Sequence, residues 1–152
     1  MIGRIEVIEE IAGIELGLGE ADATLASDLV AAAARSQWPV LAHIPVTAVS
    51  EIALAVQQAG AVALALGPPR GALVDPTGRV VHGRLYGPAV FPLALQATER
   101  LALELDIPVL ASGGVYGKPQ VRALLDAGAA GVQLDSVLWT EPERILTEAE
   151  AN

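Results

Sequence analysis

Apolar positions along the chain fall into short, nearly continuous runs, separated by longer stretches with helical spacing. Trp38 to Ile44 (WPVLAHI) is apolar on both faces, as a buried parallel strand must be. Ala61 to Leu66 (AVALAL) and Ile107 to Ala111 (IPVLA) read the same way. Ala12 to Leu16 (AGIEL) and Gly131 to Leu134 are shorter strand candidates. Between these runs the spacing predicts helices. Leu25 to Ser36 is rich in alanine, with Ser27 and Asp28 near its start. Val46 to Ala59 places Ile52, Val56 and Ala59 along one face. Pro88 to Leu105 carries its proline near the first turn, and Pro119 to Ala127 completes the set. Gly60 and Gly128 follow two of these helices, where C-terminal caps place glycine. Gly67 to Gly87 reads as one long loop rich in glycine and proline, and Glu141 to Asn152 as an acidic tail.

The predicted order is βαβαβαβαβ. Such alternation implies right-handed crossovers and a parallel sheet covered by helices. A phrase recurs at two helix-to-strand junctions: Gln58-Ala59-Gly60-Ala61-Val62 and Asp126-Ala127-Gly128-Ala129-Ala130. No linker interrupts the pattern. The expectation is a single α/β domain over residues 1–152, built of parallel βα repeats forming a partial, about five-stranded TIM-type barrel. A closed barrel of this kind takes eight strands and about 250 residues. An incomplete one leaves strand edges open. The expected partner is therefore a second copy (a homo-oligomer) or a complementing chain, docked through the open barrel edge.

Composition narrows the function classes. Hydrophobic residues make up 53%, many of them alanine, and aromatics 3%, which suits close packing of helices on a sheet. The net charge of −9, with no basic stripe, argues against nucleic acid. Cysteine is absent, which removes disulfides, thiolate metal sites and a cysteine nucleophile. No metal site is expected. Arg4, Glu6, Glu9 and Glu10 break up any secretory leader. The uncharged run Ile52 to Pro69 contains Gln57, Gln58, Gly60 and two prolines, so it reads as helix–turn–strand and not as a membrane span. These features predict a cytoplasmic protein.

The strongest chemical signal is Ile107 to Val115, IPVLASGGV. Paired glycines after a buried strand let backbone N–H groups approach an anion; they serve equally as a tight turn. The next strand ends in Asp135-Ser136. In (β/α) barrels the loops after the last two strands commonly hold a phosphate. His82 lies near Arg70, Arg79 and Arg84, a group suited to an anion or to a solvated face. Asp75-Pro76-Thr77-Gly78 reads as a turn. Lys118, the single lysine, stands at a helix start, against the helix dipole.

Leu85 to Leu95 (LYGPAVFPLAL) resembles the L-S-G-P-A-[IV]-x-P-x-A-L segment of class 1 dihydroorotate dehydrogenases. IPVLASGGV and AGAAGVQLDS follow in the family's order. Upstream, Gly13-Ile14-Glu15-Leu16 and Pro39-Val40-Leu41-Ala42 are similar to its strand phrases. The resemblance spans about residues 11 to 139 and the C-terminal half of the family's barrel. It implies an FMN-dependent oxidoreductase acting on CH–CH groups, with the flavin phosphate on the glycine loops. Carried over by position, Gly87, Gly113, Gly114 and Ser136 would contact the cofactor. The chain departs from the family pattern elsewhere. Asp135 replaces a glycine and Tyr86 a serine. Glu20 falls at the position of the catalytic base, where the sequence implies no charged partner for it. His43 stands for a lysine that contacts flavin and substrate, and Gly67-Pro68 replaces an Asn-Thr pair. The expectation is a divergent or degenerate flavin oxidoreductase with Glu20 and His43 as catalytic candidates. The alternative is a non-catalytic half-barrel that binds a phosphorylated small molecule or a partner chain.

Overall fold

Each buried apolar run becomes a strand because its side chains leave water on at least one face. The computed structural model describes residues 11–48 and 50–143. The strands are β1 (Ile14–Gly17), β2 (Val40–Pro45), β3 (Ala63–Gly67), β4 (Arg70–Val74), β5 (Val80–Arg84), β6 (Val109–Ser112) and β7 (Gly131–Gln133). The helices are α1 (Ala23–Ala34), α2 (Ser50–Gln58), α3 (Phe91–Glu104), α4 (Lys118–Asp126) and α5 (Ser136–Thr140). Five strands form one parallel sheet in the order β1-β2-β3-β6-β7. Helices cross between neighbouring strands, giving the expected α/β half-barrel of TIM type. Among the described residues, strands β1 and β7 are its edges.

One face of the sheet carries the core. Val40, Ala42 and Ile44 of β2, Leu64 and Leu66 of β3, and Val109 of β6 are all buried. They pack with Ala26, Val30 and Ala33 of α1, Ala53 and Val56 of α2, and Ala94, Ala97 and Leu101 of α3. Alanine at most helix contacts lets the helices lie close to the sheet. The alternate strand positions, including Glu15, His43 and Gln133, face the inside of the half-barrel.

The recurring phrase is a recurring helix cap. The N–H of Ala61 donates to the Val56 carbonyl and that of Gly60 to Gln57, at 3.0 and 3.1 Å. In the second copy Ala129 donates to Leu124 and Gly128 to Leu125, both at 3.0 Å. Gly60 and Gly128 have φ of +103° and +98°, the left-handed cap conformation. Each chain then enters the sheet two residues later, Val62 bonding Val40 and Ala130 bonding Val109.

The structure corrects three expectations and adds one element. Residues 67–87 are not simply a loop: β4 and β5 pair as an antiparallel hairpin, with Arg70 opposite Arg84 and Val74 opposite Val80. Helix α1 starts two residues early, because the Asp22 carboxylate caps it by accepting from the Leu25 N–H at 2.8 Å. Helix α2 begins at Ser50 and not Val46, because residues 46 and 47 form a turn closed by Ala48 N–H on the Pro45 carbonyl. Part of the segment after β7 is the short helix α5. The predicted leader-free start and most of the acidic tail lie outside the described residues. No helix among the described residues is long and apolar enough to cross a membrane.

Candidate functional site

All four sequence-predicted cofactor residues line one cleft at the C-terminal ends of β6 and β7. Gly87, Gly113, Gly114 and Ser136 surround it, with Tyr86, Ser112, Gln133 and Asp135. Strand β6 ends at Ser112, and the chain turns through Gly113 (φ +121°) and Gly114 (φ +69°). The turn lies against the start of α3. A Cβ on Gly114 would collide with the Phe91 backbone nitrogen and stand 2.8 Å from its Cα. A Cβ on Gly113 would stand 3.0 Å from Val90 Cγ1. Both glycines are therefore demanded by packing as well as by conformation. Among the described residues, nothing accepts a hydrogen bond from the Gly113 or Gly114 amides. Buried Tyr116 donates to the Ser136 hydroxyl at 3.2 Å, which fixes that side chain at the cleft.

No arginine or lysine lines this cleft. Lys118 lies instead on an outer groove of α4 with Arg122 and Asp126. Asp135 is exposed, so water screens its carboxylate from any anion nearby. As it stands the cleft has room for about one water molecule. Tyr86, half exposed on the preceding loop, also lines it.

A second cleft adjoins the first, and Pro68 lines both. It is lined by His43 from β2, Gly17 and Gly19 after β1, Gly67 after β3, and Arg70 and Arg84 from the hairpin. The imidazole of His43 lies across Gly67, and its Nδ1 is 3.4 Å from Glu15 Oε1. Glu20 does not line the cleft and meets it only through Arg70. Contrary to the reading that gave it no charged partner, its carboxylate pairs with Arg70 Nε at 2.7 Å. Its side chain is 73% exposed.

Of the cationic group noted in the sequence, Arg70 and Arg84 reach this cleft. His82 sits two residues from Arg84 and on the same face of the hairpin. Arg79 is held in the turn at the hairpin's far end, where its N–H donates to Asp75 at 2.9 Å. Asp75 also accepts from the Thr77 hydroxyl at 2.6 Å and the Thr77 N–H at 2.8 Å. These bonds, the Thr77 hydroxyl's foremost and the Arg79 amide's next, hold the Asp75 carboxyl below its ordinary pKa of 3.8. Arg70 and Arg84 were noted in the sequence as part of a group suited to an anion or a solvated face, but their pairing across a hairpin was missed because a Gly-rich stretch hid the strand alternation. The signal was there: Arg70-Gly-Ala-Leu-Val and Val80-Val-His-Gly-Arg flank a turn sequence symmetrically.

Comparison with known proteins bears out the resemblance to class 1 dihydroorotate dehydrogenases. The catalytic subunit of dihydroorotate dehydrogenase B (NAD(+)) from Geobacter metallireducens is 30% identical, across 97% of this chain and 56% of that protein. The subunit of the same name from Cutibacterium acnes is 34% identical, across 78% of this chain and 42% of its own length. That from Trichlorobacter lovleyi is 27% identical, across 93% and 53%. The chain thus spans about half the length of the curated relatives it matches. No family model matches it. Among solved structures, a chain of the Amycolatopsis orientalis BexX/CysO complex superposes with a TM-score of 0.58 at 18% identity, over 85% of this chain and 46% of that one. DHODH from Eimeria tenella in complex with ferulenol gives 0.55 at 14% identity, over 73% and 34%. These two likenesses speak to the fold alone.

Proposed function

We propose that the chain is a divergent flavin oxidoreductase domain of the dihydroorotate dehydrogenase type, with the glycine cleft as the phosphate end of an FMN site. The observation that carries this reading is the convergence of Gly87, Gly113, Gly114 and Ser136 on one cleft, in a chain similar to those enzymes along most of its length. Among the described residues the Gly113 and Gly114 amides are unspent donors and the Ser136 hydroxyl adds a third, so a phosphate would find partners once the cleft widens beyond its present room for about one water molecule. When bound, FMN would supply a two-electron hydride acceptor for oxidation of a CH–CH group. His43, at the end of β2, is the candidate to hydrogen-bond the cofactor or substrate from the adjoining cleft. Glu20 is the candidate base for the substrate proton, and it must leave Arg70 to act.

The test is titration of the chain with FMN, following flavin fluorescence, on the native protein and on Gly87→Ala. Gly87 is the variant of choice because a Cβ there meets nothing within 4 Å, whereas one at Gly114 strikes the backbone of α3. Its φ of +111° costs an alanine about 1–3 kcal/mol, so the variant's fold is checked by circular dichroism. The expected result is micromolar binding that Gly87→Ala weakens at least tenfold. No binding at high micromolar FMN would favour the second reading, a non-catalytic half-barrel for a phosphorylated ligand or partner chain. The pairing of Glu20 with Arg70 is the observation on that side, since it occupies the candidate base.

A further inference from the structure

We propose that Tyr116 is a positioning residue for a bound phosphate: its buried hydroxyl leaves the Ser136 proton free for the glycine cleft and ties together the two loops that carry the donors. This rests on the reading of that cleft as a phosphate site, and not on the phosphate being that of a flavin. The donors come from two different strands. The Gly113 and Gly114 amides follow β6, and Ser136 follows β7. The strand register ends with Ser112 opposite Gln133, and the first loop then turns through two glycines of positive φ. Tyr116 lies two residues past Gly114, and its hydroxyl spans the gap to Ser136 at 3.2 Å and to Thr140 at 3.5 Å. It does not line the cleft, so it acts on a ligand only through Ser136.

The count of protons sets the direction of these bonds. Tyr116 is 6% exposed, and a phenol withheld from water gives its proton to a protein acceptor. Thr140 has one hydroxyl proton, and the Ser136 carbonyl at 3.0 Å takes it in preference to the phenol oxygen at 3.5 Å. The acceptor nearest to the phenol proton is then Ser136 Oγ. A serine hydroxyl carries one proton and two lone pairs. With one lone pair engaged by Tyr116, the Ser136 proton stays available to the cleft, and the bond that Oγ accepts polarises it as a donor. Neutral donors decide the affinity here, because no cationic side chain lines the cleft. A phenylalanine would fill the same space without burying a hydroxyl, so packing alone does not account for the tyrosine.

The experiment is a titration of the 15N-labelled chain with inorganic phosphate at constant ionic strength, reading the Gly113 and Gly114 amide signals. The native chain is compared with Tyr116→Phe, Ser136→Ala and the double variant. The native signals should move and saturate with a Kd of about 1–10 mM. Tyr116→Phe should weaken binding about fivefold, the worth of one hydrogen bond. Ser136→Ala should weaken it at least about tenfold, because the lost bond is to a charged group. The double variant should bind like Ser136→Ala, within about twofold. Unchanged amide signals away from the cleft confirm that the variants fold. A tyrosine that merely holds the fold would weaken binding by the same factor in both backgrounds, and that result overturns the proposal. So does a Tyr116→Phe protein that binds like the native chain, or a native chain that ignores phosphate at about 100 mM. The flavin reading fails separately. Phosphate binding without FMN binding removes the flavin and leaves the role of Tyr116 standing. FMN binding that Tyr116→Phe leaves unaltered keeps the flavin and removes that role.

Discussion

Substitution of Gly67 by alanine tests whether His43 is held over the second cleft as the structure shows it. Gly67 ends β3 opposite Pro45, and its φ is not in the left-handed region, so its backbone accepts alanine without strain. The obstacle is the imidazole. The three atoms nearest a Cβ there all belong to His43: it would collide with Nε2 and stand 2.9 Å from Cε1 and 3.0 Å from Cδ2. The ring must move, and its contact with Glu15 goes with it. Overpacking of this order costs about 1–3 kcal/mol. Taking about 2 kcal/mol and a urea m-value of about 2 kcal/mol/M, the unfolding midpoint should fall by about 1 M. His43→Ala alone truncates a partly buried ring and should cost about 1 kcal/mol. With the ring gone the alanine at 67 has nothing to strike. The double variant should then match His43→Ala, a coupling of about 2 kcal/mol in the cycle. Urea unfolding of the four proteins by circular dichroism measures it. Additive losses would refute the reasoning, because they would mean that the ring does not lie across Gly67.

Two further outcomes follow from the turn and from the sheet edges. Asp75 has a depressed pKa when folded, so its hydrogen bonds to Thr77 and Arg79 stabilise the turn above pH 3.8 and are lost as pH falls through the depressed value. The Thr77 and Arg79 amide signals should hold steady from neutral pH to about 4 and move only below it, and Asp75→Asn should abolish that dependence; movement centred well above pH 4 would contradict the assignment. Among the described residues β1 and β7 have no strand beyond them, so the chain should self-associate or bind a complementing chain at micromolar concentration. Sedimentation equilibrium showing a monomer throughout that range would rule out self-association through the edges.

The parallel sheet was legible because its central strands, β2, β3 and β6, read as nearly continuous apolar runs. The two caps were legible because Gly60 and Gly128 sit in matching phrases that share Ala-Gly-Ala. That Gly87, Gly113, Gly114 and Ser136 share a cleft was legible through the family resemblance, which carried them over by position. The hairpin was not. Its strands expose nearly every residue, with Leu73, Val74, Val80 and Val81 more than half exposed, so no burial pattern marked them. Glu20 and Arg70 were likewise separate letters until the hairpin folded one over the other. The start of α1 was misplaced for a local reason: Asp22, and not Ser27 or Asp28, accepts the orphan amide.

The hairpin is also where the physics of this chain changes sign. An acidic protein repels small anions at long range, and screening confines that field to about a Debye length of about 8–10 Å. Binding an anion then depends on local donors. The glycine cleft offers amides with no cationic side chain among its lining residues. The neighbouring cleft offers two guanidinium groups on a hairpin and a histidine on the sheet. A two-stranded hairpin is marginal by itself in water, so its geometry rests on its base and its turn. At the base Leu85 bonds back to Pro69 and lies against Gly71, and at the far end Asp75 closes the turn. Arg70 and Arg84 are the pair nearest that base. Arg70 and Arg84 thus sit where the hairpin is tied to the rest of the chain, and they bring local positive charge to a protein whose overall field is negative.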